Sequence, residues 1–561
     1  MKLDKTSKKI IGLRLKSFII FVVTPESKNQ IFFFLTLFAG VFILYPFLDY
    51  QSIMATGDHG RDLYAARAAL EGRVPYRDYW WVYGPLMPYY YALFFKSLGV
   101  HVPALLTGKA LLSLVSALLI YGTLLTATVT PLLALIGALW FLVFPPDFFI
   151  TYNHTGGTTL LLALTFLVFQ YLARPRVIFL YLGLGAVFFL SLVKLNFGVT
   201  GLFCLLVAVF GIDRTCKNPV TPGKKIFYWA ALVLPFFVFL VYGWFLRGLP
   251  VYALRQCLPY FGGDQPYNIS IPAGIGMLVK LTFENITATW QNILFTLVVV
   301  GATVRSARQL TSKGIDPKER TRLLATIGIL VLFYVTSVHE FVLSGVFYRS
   351  FWAKPFACLL MFLFLSIGTR ELHKGVRGFL CAALLAVVGL NILNTQSALR
   401  MVKTPAQYLE VKRGKVFLGN QTPWINTVTQ TVSFLEANLR EDELFFALPY
   451  DPLYYFLTDK TSPTRQLIFF DHIKIPPQQE KEILAELEEN RVNWVLLSNR
   501  QHATEEYGLG ILGKTYCPLI GEYIERNFTT VAQFGDRVNE PGWAWNHGVR
   551  VLKRNQNGGA L

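Results

Sequence analysis

Long apolar runs broken by short polar stretches fill the first 400 or so residues of the chain. A helix that crosses a bilayer needs about 20 predominantly apolar residues, with a range of about 17–25. Runs at 31–50, 104–124, 131–149, 157–173, 177–193, 196–213, 226–246, 289–304, 323–343, 351–368 and 378–396 therefore predict eleven spans. The stretch 86–99, LMPYYYALFFKSLG, is too short and too rich in tyrosine for a span. It predicts a juxtamembrane helix lying in the interface. Beyond residue 400 the pattern changes. Strand-like runs (LFFALP at 444–449, NWVLLS at 493–498, VRVLKR at 549–554) alternate with a helix-like one at 476–491, an α/β pattern. The expected fold is a polytopic α-helical membrane protein of about 11 spans with a C-terminal α/β soluble domain. Its divisions are a basic arm with an interfacial helix at 1–30, a transmembrane domain at 31–398 with a loop at 51–103, and the tail domain at 399–561.

Composition agrees with that class. Hydrophobic residues make up 53% of the chain and charged ones only 15%, against about 45–50% and about 25% in soluble domains. The net charge of +18 does not point to nucleic acid, because the basic residues cluster in short loops between apolar runs. Such loops are orientation signals facing the cytoplasm. With eleven spans and a cytoplasmic N-terminus, loops 173–176, 213–225, 305–322 and 370–377 fall inside, and all are rich in Lys and Arg. Counting 86–99 as a span would invert every one of them. Loops 51–103, 145–156, 247–288 and 343–350, the residues around Lys194, and the tail then share the external face. Six cysteines show no metal-ligand spacing. Only Cys257 and Cys517 are expected where a disulfide could form.

Thr56 to Pro88, TGDHGRDLYAARAALEGRVPYRDYWWVYGPLMP, directly follows the first span. It carries four acids (Asp58, Asp62, Glu71, Asp78) and four arginines (Arg61, Arg67, Arg73, Arg77). Carboxylates held against a bilayer are costly unless solvated or paired, so they mark a candidate site. Thr56 or Asp58 is placed to cap a helix from about Gly60 to Glu71, with Gly72 and Pro75 ending it. Asp58 thus has two readings, a helix cap or a base near the membrane surface. The aromatic cluster from Tyr76 to Tyr91 reads first as an interface belt.

The stretch GDHGRDLYAARAALEGRVPYRDYWWVYGPLMPYYYALFF resembles the first external loop of the GT-C glycosyltransferases, in particular the bacterial branch near the protein O-mannosyltransferases and aminoarabinose transferases. The matching positions are Asp58 after the first span, then Ala69 to Asp78 (ALEGRVPYRD), then Gly84-Pro85-Leu86. GLGAVFFLSLVKLNFGV (183–199) resembles a second segment of that family, and the tail resembles those of its members. Two positions depart: His59 stands where the family has a second acid, and Tyr83 where aminoarabinose transferases have a lysine.

The resemblance implies an enzyme of a bacterial inner (plasma) membrane, with its tail domain periplasmic. Such an enzyme moves a hexosyl or pentosyl group from a polyprenyl-phosphate sugar to a glycan, lipid or protein acceptor. A hydroxyl acceptor needs a carboxylate to take its proton, and Asp58 is the candidate. Asp147, the one acid of the second external loop, is a second catalytic candidate or a turn residue. A lipid-phosphate leaving group needs cations, for which Lys194, Arg349 and Arg77 are placed. Arg349 also fits a role at the lipid headgroups, and Arg77 fits a pair with Asp78. Asp78, His154 and Glu340 complete the expected binding set. Asp58, Asp147 and Glu340 together offer oxygen ligands to a divalent cation, Mg or Mn. The alternative function is a transporter or flippase for a lipid-linked or small polar substrate, which should show inverted repeats and paired helix breaks. Neither is visible in the sequence.

Overall fold

A computed structural model describes residues 27–44, 50–51, 54–144, 152–257, 269–312, 314–395, 407–418, 422–470, 473, 475–502, 510–539 and 546–555. Each of the eleven expected runs carries a helix. Seven are long and apolar enough to cross a membrane: Val102–Thr126, Asn153–Ala173, Leu195–Cys216, Pro222–Leu246, Asn292–Thr311, Pro317–Ser344 and Lys374–Asn391. Four shorter apolar helices lie at Gln30–Val41, Pro131–Val143, Val177–Val193 and Lys354–Gly368. The chain is a multi-pass membrane protein. Leu86–Leu98 forms a separate helix of 13 residues, with Leu93 and Leu98 exposed and Met87, Tyr91 and Phe95 buried.

The helices pack into one bundle in which many neighbours are distant in sequence: Val102–Thr126 packs on Asn153–Ala173 as well as on Pro131–Val143, and Trp290–Thr311 packs on Lys354–Thr369. The bundle's core is built from Leu, Ile, Val and Phe together with small residues such as Ala134, Ala138 and Ala208. Polar contacts mark the end that carries the basic loops. Arg322 donates to the Thr126 carbonyl at 3.2 Å. Lys224 pairs with Asp213 at 2.9 Å, and Tyr171 donates to the same carboxylate. Those contacts tie five helices together at that end of the bundle, three of them through Asp213.

Some helices were not expected. Ile271–Thr287 falls in the predicted loop 247–288. Its apolar positions are interrupted by Gly274, Gly276, Lys280 and Glu284, which hides it from a hydropathy reading. It packs on His339–Ser344. Gly274 makes that contact possible, since a Cβ there would sit 1.9 Å from the Val342 carbonyl oxygen.

The tail forms a four-stranded sheet in the order β4 (Phe445–Leu448), β5 (Trp494–Ser498), β7 (Gly548–Arg554), β6 (Phe528–Gly535). β4 and β5 are parallel and the other two pairings antiparallel. Pro477–Glu489 is the expected helix. Thr422–Asn438, Pro518–Asn527 and β6 were not anticipated. A second, small sheet joins the two regions of the chain. β1 (Tyr50–Gln51), after the first helix, pairs in parallel with β3 (Val416–Leu418), which pairs with β2 (Gln407–Leu409). Residue 398, the expected domain boundary, lies outside the described residues.

One hydrophobic core runs continuously from the first loop into the tail. Leu63, Tyr64, Tyr79 and Trp81 lie in the same cluster as Trp424, Phe445, Leu453 and Tyr455. This corrects the belt reading of the aromatics. Tyr76, Tyr79, Trp80, Trp81 and Tyr91 are buried in a core shared by the first loop, the bundle and the tail, whereas a belt would face headgroups. The expected Cys257–Cys517 disulfide is not formed, and both thiols are free and buried.

Candidate active site

The helix Asp58–Leu70 is short and polar, yet every residue from His59 to Ala69 is buried. Its N-cap is Gly57, with no side-chain cap. Asp58 is therefore not the capping residue. It is the first helical residue, where its charge meets the positive end of the helix dipole.

Arg61 organises the acids. Its Nη1 pairs with Asp58 Oδ1 at 3.0 Å, while Nε and Nη2 hold Asp62 Oδ1 at 3.1 and 3.0 Å. The other Asp62 oxygen accepts the Tyr152 backbone N–H at 2.8 Å. Asp62 thus fixes the start of the helix Asn153–Ala173. Burial pushes its carboxyl above the usual range, Arg61 opposes that shift, and Asp58 adds to it. Asp58 is more open, at 15% exposed against 3% for Asp62. Of the two, Asp58 is the one a substrate can reach. His59 is buried and accepts the Ala55 N–H at 2.9 Å. Burial first, then Lys109 and Arg61, hold its ring well below the ordinary histidine range, so it stays neutral.

Opposite lies a basic group. Val177–Val193 and Leu195–Cys216 meet at Lys194, one residue of extended backbone. That break is shaped by the GPL element of the first loop. Gly84 N–H donates to the Val193 carbonyl at 2.9 Å. A Cβ on Gly84 would come within 2.1 Å of the Leu192 carbonyl oxygen, so only glycine fits. The Lys194 ammonium pairs with Glu340 and is 14% exposed. It lies 5.9, 5.7 and 5.7 Å from the ring centres of Tyr83, Phe197 and Trp352, an aromatic surround that favours a cation. Glu340 also accepts from Asn196 Nδ2 at 2.7 Å. Arg349, half-buried in the turn Phe347–Trp352, acts electrostatically on both Glu340 and Lys194.

Tyr83 joins the two groups. The Arg61 guanidinium stands 5.0 Å from its ring centre, and Lys194 lies within cation–π range as well. Burial pushes its hydroxyl up to about 12, with Arg61 opposing and Asp58 and Asp62 adding. Beside it His154 packs edge-on at 5.2 Å and stacks on Phe351 at 5.0 Å. The buried atoms His154 Nδ1, Thr155 Oγ1, Asn153 Oδ1, Tyr152 Oη and Trp352 Nε1 have no hydrogen-bond partner. Buried polar atoms are rarely left so. Those of residues 152–155 gather at one helix start, between an acidic and a basic group, and are polar atoms that a ligand could satisfy.

Asp58, His154, Lys194, Glu340 and Arg349 thus lie around one site. Arg77 and Asp78 do not share its contacts. They pair with each other at 3.2 Å, each about one-third exposed, and Asp78 also accepts the Val74 N–H at 2.6 Å. Asp147 lies outside the described residues. Among the described residues no three His, Cys, Asp or Glu side chains converge as metal ligands. Asp58 and Glu340 belong to separate ion pairs, and Asp147, the third member of the expected cation set, lies outside the described residues. Arg61, Asp62 and Tyr83 were not singled out for the site from sequence. The available signal was the crowding of glycines and charges around Asp58.

No family model and no curated protein matches the chain. Among solved structures, the archaeal oligosaccharyltransferase AglB from Archaeoglobus fulgidus, in complex with an inhibitory peptide and a dolichol-phosphate, is 11% identical. The match covers 89% of this chain and 73% of that one, with a TM-score of 0.47. ArnT from Cupriavidus metallidurans, bound to undecaprenyl phosphate, is 11% identical over 96% and 100% of the two chains, with a TM-score of 0.45. Arabinofuranosyltransferase AftD from Mycobacteria is 14% identical over 94% of this chain and 41% of that one, with a TM-score of 0.43. Likenesses of this extent assign neither a family nor an activity to the chain.

Proposed function

We propose that the protein is a membrane glycosyltransferase that takes a sugar from a polyprenyl-phosphate donor. The observation that carries this reading is the placing of a partly exposed carboxylate and a cation group on either side of the Tyr83 ring. Asp58 stands on one side, Lys194 and Arg349 stand on the other, and Tyr83 lies between. In the reaction the acceptor hydroxyl attacks the sugar's anomeric carbon. The new C–O bond forms as the bond to the phosphate oxygen breaks. The hydroxyl proton goes to Asp58, general-base help worth about 10²–10⁴-fold. The electron pair leaves on the lipid phosphate, whose charge Lys194 and Arg349 receive. Fixed cations in a site that excludes water act strongly on developing charge. Asp62 and Arg61 hold the loop to the start of the helix Asn153–Ala173.

The site is charge-balanced without substrate, with Asp58, Asp62 and Glu340 against Arg61, Lys194 and Arg349. A donor phosphate therefore competes with Glu340 for Lys194. The test is purified protein with radiolabelled polyprenyl-phosphate sugar, with EDTA, Mg²⁺ or Mn²⁺ in parallel. Release of free polyprenyl phosphate with transfer of label to an acceptor is expected. Intact donor carried across proteoliposome membranes without cleavage would instead establish the transporter reading.

The site end is also proposed to be the external face, because the basic loops lie at the other end of the bundle. A reporter fused to the chain's C-terminus should then score external. A cytoplasmic score would place the site on the side opposite to the one proposed.

A further inference from the structure

We infer that Tyr450, from the C-terminal tail, is a positioning residue that holds Asp58 in its working orientation. The inference rests on the reading of Asp58 as the base.

The glycines on either side of Asp58 are shaped to receive the tail. A Cβ on Gly57 would stand 2.1 Å from Tyr450 Cε1 and 2.3 Å from its Cζ, so the hydroxyl end of the ring lies on the residue before Asp58. A Cβ on Gly60 would stand 2.3 Å from the Leu453 backbone nitrogen, and that nitrogen donates to the Thr56 carbonyl at 3.1 Å. The glycines of TGDHG thus admit residues 450–453 of the tail at backbone contact. Burial first, then the neighbouring Asp58 carboxylate by its charge and by hydrogen bonding, hold the Tyr450 hydroxyl well above the ordinary tyrosine range, with Arg61 and Arg500 opposing. Arg61 and Tyr450 therefore hold Asp58 from two regions of the chain nearly 400 residues apart.

Tyr450 is itself held. Its ring is 6% exposed, packs on Phe470 at 4.5 Å, and lies under the Arg500 guanidinium at 5.0 Å. The far end of the Asp58–Leu70 helix is fastened to the same tail segment. Arg67 donates to the carbonyls of Tyr455, Lys460 and Asp459 at 3.0–3.2 Å and pairs with the Asp459 carboxylate at 2.8 Å. Arg413 pairs with that carboxylate too, at 2.5 Å. With both ends of a 13-residue helix fixed to one segment, the tail is part of the site's frame.

The test uses the full-length protein and Tyr450→Phe, which removes the hydroxyl and keeps the ring. Loss of one hydrogen bond to a charged group predicts a fall in kcat of about 10-fold, with the donor KM within about twofold. In an Asp58→Asn background the same change should alter residual transfer by less than about twofold, because the effect passes through Asp58. Tyr455→Phe is the control. Its hydroxyl accepts the Ala447 N–H at 2.8 Å inside the tail, so its kcat should stay near wild type. An unchanged kcat in Tyr450→Phe, a full 10-fold loss on top of Asp58→Asn, or an equal loss in Tyr455→Phe would each overturn the positioning role. Wild-type turnover in Asp58→Asn alone would instead overturn the base assignment, which separates the two failures.

Discussion

Asp58→Asn is expected to lower sugar transfer by about two orders of magnitude or more while leaving the protein folded. Asparagine keeps an oxygen facing Arg61 Nη1, now 3.0 Å from Asp58 Oδ1, and it fits the first turn of a helix. What it loses is the ability to take a proton, worth about 10²–10⁴-fold in a general base. Stability should move little. Gly57 occupies the cap, so no capping hydrogen bond is removed, and the lost charge at the helix start is worth about 0.3–1 kcal/mol. Arg61 retains both of its bonds to Asp62, so the guanidinium is not stranded. The comparison needs transfer rate and thermal unfolding on the same preparation. A variant that transfers at near the wild-type rate would remove Asp58 from the mechanism. One that loses rate and unfolds together would make Asp58 a structural anion.

The spans were legible because a bilayer imposes a length and a polarity that few other environments impose. β4, β5 and β7 of the tail were legible for a related reason, as short apolar runs between turn-rich stretches. Asp58 and Lys194 were legible as charges at the ends of apolar runs. The hidden part lies in contacts between distant regions. Nothing local in GDHGRD says that Gly60 meets Leu453, or that Arg67 is held by Asp459. Without that docking, buried aromatics such as Tyr79 and Trp81 look like an interfacial belt, because a ring's amphipathic chemistry suits both places. Tyr83 shows a further limit. Lys194, at a helix break far along the chain, lies 5.9 Å from its ring centre, and nothing local to either segment says that the two meet.

That placement yields the second large expected effect. Lys194→Met keeps an unbranched side chain among Tyr83, Phe197 and Trp352 but leaves Glu340, 3% exposed, without its main counter-ion. Breaking a buried pair from one side costs about 3–5 kcal/mol, so the single variant should be clearly destabilised. Its loss of transfer would then be ambiguous. Adding Glu340→Gln removes the stranded charge and keeps an amide oxygen for Asn196, which now donates at 2.7 Å. Neutral replacements of buried ion pairs are often tolerated or stabilising, so the double variant should unfold near the wild-type temperature. Transfer should nevertheless stay down by about 10²–10³-fold, the usual loss when one fixed stabiliser of developing charge is removed. Arg349 remains to supply the residue of activity. Thermal unfolding and donor turnover measured on the single and double variants separate the two contributions. If the double variant recovers both stability and turnover, Lys194 and Glu340 form a structural pair, and the leaving phosphate must find its charge partner elsewhere.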